Sequence, residues 1–174
     1  MLSLITGGSA SGKSEFAEWL LLTSKAKNRV YLATMDPCDG ECEARILRHC
    51  AARASRGFLT IERAVGLSGT VLPKDSAVLL ECLSNLAANE LFSEAGAHER
   101  AFEEIISGLE IICSQAKEVI VVSGEVFSDG EPYDPGTLRY LELLGRLNAA
   151  VARKADRVVE VVCSIPVYHK GAKL

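Results

Sequence analysis

Eight residues near the start, Gly7-Gly8-Ser9-Ala10-Ser11-Gly12-Lys13-Ser14, constrain this chain more than any others. They fit G-x-x-x-x-G-K-[ST] and sit between a short apolar run, residues 2–6, and an amphipathic stretch, residues 12–24. Glycines at this spacing let the backbone wrap closely round phosphate oxygens. The N–H groups of the turn and of the helix that follows then converge on the anion. Lys13 supplies a point charge for the β- and γ-phosphates, and the Ser14 hydroxyl is a hard oxygen ligand for Mg²⁺. A Gly/Ser-rich turn that merely opens a helix would share the composition, but not the position between strand and helix. The pattern predicts a nucleotide-binding loop.

The rest of the chain alternates short apolar runs with longer helical ones. Further strands are predicted at 29–34, 77–82, 118–123 and 157–163. Helices are predicted at 12–24, 40–54, 83–92, 98–116 and 137–155, the first turning Phe16, Trp19 and Leu20 towards the sheet. Strands without polar interruption are covered on both faces, as in a parallel sheet. The fold class is therefore α/β, a P-loop NTPase-type three-layer fold with a mainly parallel central sheet flanked by helices. The length of 174 residues suggests one domain over 1–174. In such sheets ligands bind beyond the carboxyl ends of the strands. Glu81 ends the run AVLLEC, where an acid that helps hold the metal belongs, although a solvent-facing strand-end carboxylate would look the same.

Composition excludes several classes. A formal charge of −4 argues against nucleic acid as a partner. No apolar run approaches a membrane span and no basic leader precedes residue 6, so a cytoplasmic enzyme is expected. The six cysteines form no C-x-x-C pair. Cys82, Cys113 and Cys163 lie in apolar runs and read as small hydrophobes, which fits a reduced compartment.

The segment 31–62 narrows the substrate. Glu41, Arg45, His49 and Arg53 recur every fourth residue and share one helix face. A histidine between arginines on such a face can meet water or a phosphate. Cys38, Cys42, His49 and Cys50 also raise a zinc site, although tighter cysteine pairs are usual there. His98 and His169 have no such setting and read as surface residues. These residues alone leave open a P-loop kinase for another small alcohol and a nucleotide-sensing module without turnover.

Taken together, GGSASGKS, YLAT, Asp39, Glu41, Arg45, Ile46, His49, Arg53 and Glu62 follow one order and spacing. So do Glu81-Cys82 with Asn89 and Leu91, Gly145 with Asn148, and the stretch 155–162 beginning Ala155-Asp156, in which Arg157 fills an open position of A-D-x-V. In these motifs, from residue 2 to 163, the chain resembles the bifunctional adenosylcobinamide kinase / adenosylcobinamide-phosphate guanylyltransferase family of cobalamin biosynthesis. The resemblance implies two activities. One phosphorylates the aminopropanol hydroxyl of adenosylcobinamide from ATP or GTP. The other moves GMP from GTP onto that phosphate and gives adenosylcobinamide-GDP. It also implies that His49 carries GMP as a phosphoramidate, and that Lys13 with Mg²⁺ stabilises the leaving pyrophosphate. Nucleotide contacts carried over by the resemblance are Gly7 to Ser14, Ala33, Thr34, Met35, Cys50, Ala51, Ala52, Arg53, Glu62 and Glu81, with Ser14 and Glu81 at the metal. A homo-oligomer, in the family mainly a trimer, is implied likewise. After the fourth strand Glu125 and Val126 fit the family's N-E-V-G, but Gly124 and Phe127 depart from it, as do the acidic loop 128–135, residues 138–142 (LRYLE) and residues 163–166 (CSIP). Three readings follow: the same acceptor with different contacts, a modified corrinoid precursor, or a kinase-only relative that has lost guanylyl transfer.

Overall fold

Aliphatic and β-branched runs form the strands of a computed structural model that describes residues 1–35, 57–127 and 132–172. The strands are β1 (Leu2–Thr6), β2 (Asn28–Ala33), β3 (Leu59–Glu62), β4 (Ser76–Glu81), β5 (Glu118–Val122), β6 (Arg157–Val162) and β7 (Ile165–Lys170). The helices are α1 (Lys13–Thr23), α2 (Leu83–Phe92), α3 (Ala101–Gln115) and α4 (Pro135–Lys154). One sheet of order β3-β2-β4-β5-β1-β6-β7 joins them. Every pairing is parallel except β6 with β7.

The sheet separates two cores. On one side Ile5, Leu79, Ile120 and Val159 meet Ala17, Leu20 and Leu21 of α1. On the other, Leu4, Val78, Leu80 and Val121 pack under α2, α3 and α4 through Leu86, Ile105, Ile112, Leu144 and Leu147. Sandwiching between helix layers explains why β4 and β5 are apolar almost throughout. β6, nearer the edge, alternates buried and less buried residues. Asp156 closes the corner between α4 and β6. Its carboxylate accepts from the Leu2 N–H (2.7 Å) and its own N–H donates to the Leu2 carbonyl (2.8 Å), which fixes the start of β1. At the other end of α4, Asp134 caps the helix by accepting from the Gly136 and Thr137 N–H groups, with Pro135 in the first turn.

Several expectations change. β3 and β7 join the five anticipated strands; both are edge strands and carry little apolar signal. The span 98–116 divides into a 3₁₀ turn, His98–Arg100, and α3. Trp19 does not face the sheet: it is 47% exposed and stacks on Phe16 with ring centroids 5.7 Å apart. The 3.6-residue period puts Ala17, Leu20 and Leu21 inward and leaves the i, i+3 pair Phe16 and Trp19 on the flank. Cys163 is exposed in the β6–β7 turn, whereas Cys82 and Cys113 are half-buried. His98 and His169 are exposed, as expected. The helix anticipated at 40–54 and residues 128–131 of the acidic loop 128–135 lie outside the described residues.

Candidate functional site

The loop Gly7–Ser14 leaves β1 at the carboxyl edge of the sheet and enters α1. Gly12 is the N-cap residue at φ 90°, and no side chain caps the helix. The first-turn N–H groups therefore remain available to an anion. A side chain at Gly12 would place its Cβ 2.7 Å from Ser164 Oγ, so only glycine fits both the backbone and the space. Lys13 Nζ donates to the Gly8 carbonyl (3.0 Å), which holds the ammonium across the loop. Ser11 Oγ is buried and has no hydrogen-bond partner, a costly state for a hydroxyl that a phosphate oxygen would relieve.

Both flanks of the loop are tied down from distant parts of the chain. On one side the Glu125 N–H donates to the Gly7 carbonyl (3.0 Å), just beyond β5. On the other, the tight β6–β7 turn puts Cys163 and Ser164 in left-handed conformations, φ 49° and 64°, as a two-residue hairpin of this type requires. That turn aims the Ser164 N–H at the Ser11 carbonyl (2.8 Å).

Glu81 comes from β4, which is separated from β1 by β5. Its two oxygens are held separately. Ser14 donates its hydroxyl to Oε1, and the Tyr31 phenol donates to Oε2 at 2.6 Å. A hydroxyl and a carboxylate in contact make a hard-oxygen pair suited to Mg²⁺, which takes few protein ligands and completes its shell with phosphates and water. Among the described residues no group of three or more His, Cys, Asp or Glu could hold a metal alone. The donor set therefore fits Mg²⁺ brought in with a nucleotide.

Strand register sets Ala33 level with Glu81 on one side and Glu62 on the other, so all three stand at the same edge as the phosphate loop. Glu62 is exposed and Met35 half-buried. Thr34 is buried, and its hydroxyl is engaged by the backbone. It donates to the Cys82 carbonyl (2.8 Å) and accepts from the Cys82 N–H (2.7 Å). Asn89 reinforces this corner by donating to the carbonyls of Thr34 (2.8 Å) and Ala64 (3.1 Å). Thr34 and Asn89 thus hold the ends of β2 and β4 in place. His49, Cys50, Ala51, Ala52 and Arg53 lie outside the described residues, as do Asp39, Glu41 and Arg45.

Two neighbours of the site fall in the sequence motifs, but the motifs do not show what they do. Tyr31 is one; strand alternation was the available signal, since Tyr31 shares a face with Ala33 and lies diagonally across from Glu81. The other is the floor beyond β5. There Ser123 Oγ donates to Asn148 Oδ1 (2.6 Å) and the Gly124 N–H donates to Ser84 Oγ (2.8 Å). Burial pushes the Tyr140 phenol above its ordinary range, and a hydrogen bond with Ser84 partly offsets this. Burial likewise raises the Cys82 thiol, which keeps it protonated beside Glu81.

A model of the cobinamide kinase / cobinamide phosphate guanyltransferase family matches residues 3–168. The chain is 33% identical to the bifunctional adenosylcobalamin biosynthesis protein CobU of Salmonella typhimurium, over 98% of this chain and all of that protein. It is 31% identical to the bifunctional adenosylcobalamin biosynthesis protein CobP of Pseudomonas aeruginosa, over the full length of both. Among solved structures it overlays the flagellar accessory protein FlaH of Methanocaldococcus jannaschii with a TM-score of 0.48 and 13% identity, covering 98% of this chain and 78% of that one.

Proposed function

Because this chain belongs to the cobinamide kinase / cobinamide phosphate guanyltransferase family, we propose that it runs both reactions of that family from the phosphate loop, with His49 as the guanylyl carrier. The two transfers are phosphorylation of the aminopropanol hydroxyl of adenosylcobinamide and attachment of GMP to the product. The observation that carries this reading is the convergence of Lys13, Ser14 and Glu81 at the mouth of a loop whose Ser11 hydroxyl is buried without a partner.

In the first reaction the loop and the uncapped start of α1 grip the triphosphate, and Lys13 moves from the Gly8 carbonyl to the β- and γ-oxygens. The corrinoid hydroxyl then attacks the γ-phosphorus and the nucleoside diphosphate leaves. Ser14 and Glu81 would hold Mg²⁺, which when bound draws charge from the bridging oxygens. Tyr31 keeps Glu81 turned towards Ser14. In the second reaction a neutral imidazole nitrogen of His49 attacks the α-phosphorus of GTP, and pyrophosphate departs against Lys13. The phosphate made in the first reaction then displaces the histidine and takes the GMP. Ala33, Met35, Glu62 and the segment 50–53 would contact the nucleotide, while Thr34 holds the backbone that places them. Use of ATP as well as GTP, a cytoplasmic setting, action of 1–174 as one domain and assembly into a homotrimer belong to the same proposal.

The test uses purified protein, Mg²⁺ and GTP labelled at the α-phosphate, with no corrinoid. The expected result is covalent label that is acid-labile and alkali-stable, absent from His49→Ala, and not seen with γ-labelled GTP. GTP binding without label would refute the histidine assignment and leave a kinase-only relative.

A further inference from the structure

The amino-terminal edge of the sheet, opposite the phosphate loop, holds a largely buried cation whose Nε has no acceptor. Arg157 opens β6 and is only 8% exposed. Its Nε is shut off from solvent and lacks an acceptor, and no ion pair or hydrogen bond engages its guanidinium among the described residues. Ser3, its register partner on β1, points to the same face and has a buried Oγ that is likewise unpartnered. A buried N–H of a charged group without an acceptor carries a desolvation cost.

Arg157 lines a cavity of about 350 Å³, together with Lys25, Lys117, Thr23, Ser24 and Glu118. Lys117 also pairs with Asp75 at 2.8 Å, and Glu118 is the carboxylate in the wall. Three cations against these two acids leave the cavity positive. The end of α1 would ordinarily present negative carbonyls here. Arg29 removes that obstacle by donating to the carbonyls of Leu21 (3.2 Å), Leu22 (3.2 Å) and Ser24 (3.4 Å).

We propose that this cavity is a second anion site, which takes a phosphate-class oxyanion, free or at the end of a small metabolite. The Arg157 guanidinium presents a fork that fits two oxygens of a phosphate, and the two lysines favour its double charge over that of a carboxylate. The site is separate from the nucleotide loop but mechanically joined to it. α1 begins at Lys13 in the phosphate loop and ends at Thr23 in the cavity wall, a span of about 16 Å at 1.5 Å per residue. An anion bound here braces the last turn of the helix whose first turn faces the nucleotide.

The experiment titrates inorganic phosphate into the full chain by calorimetry at constant ionic strength, in a Lys13→Ala background that disables the loop's own cation. Methyl phosphate and inorganic pyrophosphate serve as parallel probes that separate a free anion from a carried phosphoryl group. One saturable site should remain in Lys13→Ala, and adding Arg157→Gln should weaken it about tenfold or abolish it, as loss of a charge-assisted contact predicts. Lys25→Gln with Lys117→Gln, both on exposed side chains, should weaken it in the same direction. Absence of saturable binding in Lys13→Ala, or binding indifferent to Arg157 and to both lysines, would overturn the proposal and assign the Ser3–Arg157 pair to buried water.

Discussion

Replacing Tyr31 by phenylalanine removes one oxygen and leaves the ring that fills its place in the core, where the residue is 3% exposed. The lost atom donates to Glu81 Oε2 at 2.6 Å. Hydrogen bonds to charged groups contribute about 1.5–3 kcal/mol. Glu81 is half-buried and water can partly replace the phenol, so the lower end, about 1.5 kcal/mol, is the relevant figure. For a chain of this size that corresponds to a fall in melting temperature of roughly 3–6 °C. The functional effect should be more specific. With one carboxylate oxygen untethered, Glu81 can swing away from Ser14, and loss of an outer partner of a metal ligand typically costs about 10-fold or more in metal affinity. Initial rates of cobinamide phosphorylation, measured against Mg²⁺ at fixed nucleotide, should show the half-saturating Mg²⁺ concentration rise about 10-fold, with the rate at saturating Mg²⁺ nearly restored. A melting point that falls while the Mg²⁺ dependence stays unchanged would refute the reasoning and make the Tyr31–Glu81 bond purely structural.

Gly12→Ala forces a Cβ into a left-handed residue and against Ser164, costs of about 1–2 kcal/mol for the backbone and about 1–3 kcal/mol for the overlap. Nucleotide affinity should drop at least ~30-fold. Ser164→Gly removes the Oγ and Cβ atoms that would stand 2.7 and 3.2 Å from the new methyl group, but leaves the backbone carbon of residue 164 at 3.1 Å. It should restore part of the affinity, and strict additivity in that double-mutant cycle would count against the packing argument. Asp134→Ala addresses pH. The Thr137 hydroxyl, followed by the Thr137 and Gly136 N–H groups, holds the Asp134 carboxyl below its usual 3.8. A depressed folded-state pKa gives stability above the unfolded value that disappears as pH falls through the folded one. Melting curves of wild type and Asp134→Ala, followed by circular dichroism, should therefore differ at neutral pH and converge as the pH drops past 3.8. A gap that persists undiminished in acid would contradict the cap's charge as its source.

What could be read from sequence was local. The phosphate loop follows from residues within one turn, and β4 and β5 from unbroken apolar runs that only a doubly covered strand tolerates. β3 and β7 could not be read this way. β3 has four residues, with Leu59 49% exposed, and β7 contains Pro166, His169 and Lys170. Both are held by pairing with a neighbour, which leaves almost no mark on their own composition. Trp19, expected on the sheet side of α1 with Leu20, is turned outward by the helical period. Glu81 was legible as a strand-end acid, but its orientation was not, since Tyr31 lies 50 residues away. Buried charge was equally hidden: Glu90, 2% exposed, accepts from the Gly66 and Ala97 N–H groups, a pairing that spacing does not encode.

β1 lies between β5 and β6, and the loop that follows it is pinned by the Ser164 N–H. Of these seven strands β1 is made earliest and waits longest for its partners. Its partners are made more than 110 residues later, and the final brace on the loop arrives only with the β6–β7 turn. At translation speeds of 5–20 residues per second that interval is roughly 8–30 s. During this time the nucleotide-gripping segment exists as covalent sequence but not as a shaped receptor. A chain cut short before its last hairpin would therefore carry an intact nucleotide signature and still fail to grip nucleotide properly. In effect the molecule makes competence for its first ligand conditional on synthesis through the β6–β7 hairpin.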